Sequence, residues 1–206
     1  MSSKGRVDKF PPSEKNLIVR NIGDLKANFE QIKTTKFDNV SLFFRWSDIE
    51  FSDKKIDDVF LHTSYIKDIT KILEIDMRDN CLADKHIYGI VDLLQNNHAV
   101  HKLTLWFPAN YIQDEGAMEI FGCLSNMTNL TSLNINLEWN FHLSNKSCYF
   151  LCQQISDLMS LEEVRINISK HTYISQEGEY KFKNAIIDLK NLKKGLFDNK
   201  NCLIYS

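Results

Sequence analysis

At 206 residues the chain has the length of one domain with a sizeable core, and 43% hydrophobic with 25% charged residues is the balance of an ordinary globular protein. A formal net charge of −2 excludes a global field that would draw it to nucleic acid or an anionic membrane, leaving only a local basic patch open. No apolar run approaches the roughly 18–20 residues of a membrane helix, and MSSKGRVDKFPPSEK at the N-terminus has no apolar stretch of the secretory kind.

Lys4, Arg6 and Lys9 are interrupted by Asp8, which makes a poor mitochondrial presequence. Five cysteines (Cys81, Cys123, Cys148, Cys152 and Cys202) are odd in number and irregular in spacing, which favours reduced thiols in an intracellular compartment over a disulfide framework. Lysine outnumbers arginine 20 to 5 and asparagine reaches 19; this protist-like, and in particular ciliate-like, bias reflects AT-rich coding and says little about function.

In chain order, residues 1–15 read as a disordered arm closed by Pro11-Pro12. Residues 16–36 carry a strand at Leu17-Ile18-Val19 and a helix presenting Leu25, Phe29 and Ile32; only 23 residues separate Leu17 from Val40, so this shortened unit reads as an N-terminal cap. From there an apolar–x–apolar pattern recurs at Val40-Ser41-Leu42, Leu73-Glu74-Ile75, Leu103-Thr104-Leu105, Leu133-Asn134-Ile135 and Val164-Arg165-Ile166, at intervals of 33, 30, 30 and 31 residues. A second apolar position follows each, at Phe51, Leu82, Ile112, Leu143 and Ile174, with intervals of 31, 30, 31 and 31. Two ladders of one period mark a repeat architecture.

Each unit has one internal order. A short alternating run, such as Leu133-Asn134-Ile135-Asn136-Leu137, predicts a strand buried on one face. A polar turn with asparagine follows, as at Asp79-Asn80 and Ala109-Asn110. The spacing then turns helical: Ile87, Ile90, Val91 and Leu94; Ala117, Ile120, Phe121 and Leu124; Cys148, Leu151, Cys152 and Ile155. Ser52-Asp53, Asp84, Asp114-Glu115, Ser144-Asn145 and Ser175-Gln176-Glu177 supply caps or negative charge at the helix starts. No single unit of this size buries its own apolar face, so the stack is the stable object. Leu192–Phe197 reads as a last strand, and residues 196–206 as an apolar tail around Cys202-Leu203-Ile204-Tyr205.

The segment Asn110-Tyr111-Ile112-Gln113-Asp114-Glu115-Gly116-Ala117 resembles the N-x-I-G-D-E-G-A stretch of ribonuclease-inhibitor-like leucine-rich repeats, and Asn129-Leu130-Thr131-Ser132-Leu133-Asn134-Ile135 resembles the strand that follows it. The resemblance covers residues 37–195, about five repeats, with the outer units at Val40 and Val164 degraded. The step of nine residues from Leu103 to Ile112 departs from the family's seven. The resemblance implies an α/β leucine-rich-repeat solenoid over residues 16–206: a horseshoe arc with parallel strands on the concave face and helices on the convex face. It also implies a protein-binding role.

Alternation along the strands sends a second set of side chains to the concave face. This candidate protein-binding stripe comprises Phe43, Arg45, Glu74, Asp76, Arg78, Thr104, Trp106, Asn134, Asn136, Glu138, Arg165 and Asn167, with Ser41 beside them. Phe43 and Trp106 are large apolar groups on a face expected to be solvated, the kind that anchors an interface; packing of Trp106 onto the turn at Phe107-Pro108 is the competing reading. Trp139 reads as turn packing.

No chemistry-bearing motif appears. Cys148 and Cys152 sit one turn apart on an apolar stripe and read as core. His98 and His101 lack a cysteine pair at zinc-site spacing, and Gly-x-Ser-x-Gly, a phosphate loop and HExxH are absent. The expectation is therefore a non-enzyme without cofactor or metal, binding a protein partner and neither nucleic acid nor membrane. It would serve as a scaffold or hetero-complex subunit in a cytoplasmic, ciliary, cytoskeletal or mitochondrial assembly. The alternatives are a regulator of the Ran-GTPase-activating type, whose functional residues do not map here, and a ubiquitin-ligase substrate adaptor, for which residues 10–35 are too short to hold an F-box.

Overall fold

Seven strands lie side by side in chain order, all parallel, in a computed structural model that describes residues 15–44, 52–168, 173–189 and 192–198. The expected N-terminal arm up to residue 14, Arg45, Phe51 and the tail beyond residue 198 lie outside the described residues. The strands are β1 (Asn16–Val19), β2 (Asn39–Phe43), β3 (Ile72–Asp76), β4 (Lys102–Trp106), β5 (Ser132–Asn136), β6 (Glu163–Asn167) and β7 (Lys194–Asp198). The connections carry α1 (Ile22–Ala27), α2 (Phe29–Thr34), α3 (Asp53–Thr63), α4 (Tyr88–Gln95), α5 (Asp114–Gly122), α6 (Asn145–Ser156) and α7 (Gln176–Ile187), with 3₁₀ turns at Asp84–His86 and Leu124–Asn126. Parallel neighbours need a crossover, and here nearly every crossover is one helix.

The strand register places the repeat ladders in two rungs-long rows. Leu17, Val40, Leu73, Leu103, Leu133 and Val164 are aligned, as are Val19, Leu42, Ile75, Leu105, Ile135 and Ile166. All twelve are buried. Helices close the core from the other side with Ile90, Leu93 and Leu94, then Ala117, Ile120 and Phe121, then Cys148, Leu151 and Ile155, then Phe182 and Ile186. Leu82, Ile112, Leu143 and Ile174 seal the turn side.

Three expectations need correction. The N-terminal cap holds two short helices: Asn28 ends α1, donates from Nδ2 to the Asp24 carbonyl at 2.8 Å, and starts α2. In α4 the buried stripe uses Leu93, while Val91 is only partly covered, because the first turn is a 3₁₀ turn and rotates the helix face. Ser52 makes no side-chain cap at α3, whereas Ser144 and Ser175 do cap α6 and α7.

Two polar ladders hold the units in register. Asn80, Asn110 and Asn140 are buried at the end of successive strands. Asn110 Oδ1 accepts from the N–H groups of Asn80 (3.1 Å) and Leu82 (2.9 Å) of the preceding unit, and its Nδ2 donates to the carbonyls of Met77 and Phe107, both at 3.0 Å. Asn140 repeats this, accepting from Ile112 N–H at 3.0 Å and donating to Phe107 and Leu137 carbonyls at 2.9 Å. Immediately before each asparagine the backbone is left-handed, at Asp79 (φ 56°), Ala109 (φ 55°) and Trp139 (φ 61°). These turns account for the long step from strand to helix.

The second ladder runs along the helix starts. Asp84 Oδ1 accepts from Gln113 N–H at 2.7 Å, Asp114 Oδ1 from Ser144 N–H at 2.9 Å, and Asn145 Oδ1 from Ser175 N–H at 2.9 Å. Partial burial pushes the Asp114 carboxyl up, but hydrogen bonds from Ser144 and Ser147 outweigh it and hold the group below the usual carboxylate range. Two glycines make room for this ladder: a Cβ on Gly116 would stand 2.4 Å from Asp84 Oδ1, and one on Gly178 would stand 2.2 Å from Asn145 Oδ1. Glycine at these positions is thus a packing requirement set by the helix-start side chain of the preceding unit.

Candidate functional site

The register sorts the concave stripe into rows. Ser41, Glu74, Thr104, Asn134 and Arg165 are aligned across β2 to β6, and Phe43, Asp76, Trp106, Asn136 and Asn167 form the next row. Arg78 and Glu138 continue outward beyond the strand ends. Arg45 lies outside the described residues.

The structure brings some of these residues into contact. Arg78 grips Asp76 through Nε at 2.9 and 3.2 Å and through Nη2 at 2.5 Å. That hydrogen-bonded carboxylate raises the guanidinium's proton affinity further. The same guanidinium carbon sits 5.0 Å from the centre of the Trp106 ring, a cation–π arrangement. Trp106 is half-buried, with one face of its ring covered by Arg78. Asn136 is buried and its Oδ1 accepts from Glu138 N–H at 2.9 Å, while Asn167 Nδ2 donates to Glu138 Oε2 at 3.4 Å. Ser41 is buried and donates to Glu74 Oε2 at 3.3 Å, so the solvated position expected for it is corrected. Thr104 and Asn134 lie half-buried between the two clusters, and Arg165 is exposed.

Side chains overlooked or misjudged in the sequence lie on the turn edge. Tyr111, His142 and Tyr173 each precede the buried Ile112, Leu143 and Ile174 and are exposed, as alternation in an extended stretch requires, whereas the equivalent Cys81 has a left-handed backbone (φ 52°) and is half-buried. Parallel bridges pair Tyr111 with Ala83, His142 with Gln113 and Tyr173 with Ser144, so the outward positions step by two residues from one unit to the next. His142 and Tyr173 stack with ring centroids 6.4 Å apart. Phe141 is an extra residue in its turn, and Trp139 meets its ring edge-on at 5.8 Å. Trp139 is 44% exposed, which corrects its reading as turn packing; its left-handed backbone places the side chain on the rim. The signal was present in the sequence, as the position one before the second apolar ladder.

Among the described residues, no group of three or more His, Cys, Asp or Glu is placed to hold a metal, and no helix is long and apolar enough to cross a membrane. Burial raises the thiols of Cys123 and Cys152 to about 11 and that of Cys148 higher still. Iodoacetamide at pH 8 is therefore expected to label Cys81, the least buried of the four described cysteines, well ahead of these three in the folded chain. Peptide mapping before and after denaturation reads this out, and uniform labelling of the native protein would refute the packing of α6.

No protein-family model matches the sequence, and no curated protein is detectably similar to it. Solved structures are similar in fold. The C-terminal domain of tropomodulin from Caenorhabditis elegans superposes with a TM-score of 0.57 at 14% identity, covering 80% of this chain and 92% of that one. Leiomodin-1 actin-binding site 2 superposes with a TM-score of 0.53 at 12% identity, covering 80% and 88%. These neighbours, and not ribonuclease-inhibitor-type repeats, are what the fold matches, which overturns the ribonuclease-inhibitor-like assignment. The α/β leucine-rich-repeat architecture itself stands, and this chain has the fold of the tropomodulin and leiomodin C-terminal domains.

Proposed function

We propose that this chain is a non-catalytic protein-binding module of a cytoskeletal assembly, and that its concave wall is the surface that meets the partner. The observation that carries this reading is the pre-set Asp76–Arg78–Trp106 cluster at the middle of the parallel wall. An aromatic ring held by a cation, itself fixed by a carboxylate, presents an anchor already ordered before binding. The similar fold of a leiomodin fragment named for binding actin makes actin the first partner to test.

The test is co-sedimentation with filamentous actin, alongside pull-down of monomeric actin. The expected result is saturable binding weakened about tenfold or more by Trp106→Ala combined with Phe43→Ala, with the melting temperature of the double variant close to that of the parent. Binding that is equally strong in parent and variant would move the contact off the concave wall. Absence of binding to either form of actin would remove actin as the partner.

A further inference from the structure

We propose that the edge of the sheet where the strands begin is a second docking surface, separate from the concave wall, and that it takes an acidic segment of another protein. Two loops, residues 66–71 ahead of β3 and 96–101 ahead of β4, are locked side by side there. Asp68 N–H donates to the Asn96 carbonyl at 3.2 Å, Ile69 N–H to Asn97 Oδ1 at 2.9 Å, and His101 Nδ1 to the Thr70 carbonyl at 2.7 Å. Lys67, Lys71, His98, His101 and Lys102 are all exposed on this ordered edge.

Their charge is not cancelled on the spot. Of the two carboxylates beside them, Asp68 is paired with Lys36 at 2.7 Å, and Asp38 accepts from the Lys15 N–H at 3.0 Å and the Thr70 hydroxyl at 3.1 Å. Lys67 and Lys102 are left without an ion-pair partner among the described residues. The hydrogen bond from Lys36, and then the field of Lys67 and His98, hold the Asp68 carboxyl below the usual carboxylate range. The positive stretch also ends sharply. Lys102 aligns with Ser132 and Ser132 with Glu163, so the same edge turns neutral and then acidic within two rungs, about 10 Å at ~4.8 Å per rung. In a chain of formal net charge −2, this is a segregated patch and not a share of an overall excess.

The backbone decides which anion fits. A phosphate cradle needs free N–H groups converging on one point. Here the N–H groups at the strand starts are spent: Lys71 and Ile72 donate to the Asp38 carbonyl, His101 and Lys102 to that of Lys71, and Thr131 and Ser132 to that of His101. What remains is a set of lysines spread over two rungs, point charges without the bidentate fork of arginine. They match several separated carboxylates better than one phosphate. The two loops expose no large apolar side chain to enter a membrane or to stack on a base, and Tyr65 just ahead of them is packed edge-on against Phe29 at 5.3 Å. Charge complementarity therefore points to a protein segment rich in Asp and Glu.

The experiment is a fluorescence-anisotropy titration, at low ionic strength, of a labelled twelve-residue peptide of alternating glutamate and serine. The comparison ligands are the same peptide with lysines for glutamates and a labelled oligothymidylate of equal charge. The expected result is saturable binding of the acidic peptide, weakening as salt is added. Lys67→Glu with Lys102→Glu should reduce it tenfold or more. Lys146→Glu with Lys181→Glu, which changes the net charge equally on the helix side, should leave it within twofold of the parent, as should Trp106→Ala. If the first pair loses its fold by circular dichroism, Lys67→Gln with Lys102→Gln replaces it, with a loss of threefold or more expected. Failure of the acidic peptide to bind, equal loss in both lysine pairs, or tighter binding of the oligothymidylate overturns the proposal. So does concentration-dependent self-association of the parent that Lys67→Glu with Lys102→Glu abolishes, which would make Glu162 and Glu163 of a second copy the occupant. None of these outcomes bears on the concave wall, which the Trp106 variant reports separately.

Discussion

Leu105→Asp is expected to leave no folded protein at 25 °C. Leu105 is fully buried in the middle of the aligned row formed with Ile75 and Ile135. Removing a core leucine costs about 2–5 kcal/mol, and a carboxylate placed there has no cation or donor to pair with, adding several kcal/mol more. The sum reaches the whole stability of a domain, about 5–15 kcal/mol. Because neighbouring units share this row, the loss does not stay local: the units on either side lose part of the apolar surface that joins them. Circular dichroism and urea titration of the purified variant provide the check. A cooperative transition near that of the parent would mean that position 105 does not face the core.

Asn110→Ala is expected to destabilise by about 3–5 kcal/mol, seen as a large drop in the urea midpoint. The side chain satisfies two backbone N–H groups and two carbonyls that are shut away from water, and each buried group left unpaired costs roughly 1–3 kcal/mol, offset in part by local relaxation. Asn110→Asp separates this account from simple loss of volume. An aspartate keeps the shape and the acceptor but puts a carboxylate oxygen in place of the donor that faced two carbonyl oxygens, so its charged form is disfavoured and its pKa is raised in the folded state. A raised folded-state pKa means stability present at low pH and lost as pH rises through that value. Asn110→Asp should therefore approach the parent in stability at acid pH and fall away from it toward neutral pH, while Asn110→Ala should show no such added dependence. Parallel pH profiles for the two variants would rule out the hydrogen-bond ladder as the source of the effect.

Much of the scaffold was legible because it is repeated. An inward position must be apolar in every unit, and Val40, Leu73, Leu103, Leu133 and Val164 announce the period through that constraint alone. The interface candidates were legible only as directions. Alternation says that Asp76 and Trp106 leave the core, and the register confirms that they stand side by side. Whether Trp106 is bare or covered depends on Arg78 two residues beyond the strand, whose rotamer no periodicity fixes. The subtype of repeat was misread for a related reason: a short motif such as Asn110–Ala117 encodes local turn and helix-start chemistry, which different repeat families share.

The sequence by itself determined the order of strand, asparagine turn and helix, the phase of the buried rows and the parallel stacking that follows from them, because each is a local pattern repeated until chance is excluded. Only the tertiary structure decided what the surface offers. The pairing of Asp76 with Arg78 over Trp106, the burial of Ser41 and Asn136, and the gathering of Tyr111, Phe141, His142 and Tyr173 on one rim all depend on contacts between units about thirty residues apart. The physical reason is that burial is enforced at every rung and leaves a periodic trace, whereas exposure is enforced nowhere and acquires meaning only when neighbouring rungs are set side by side.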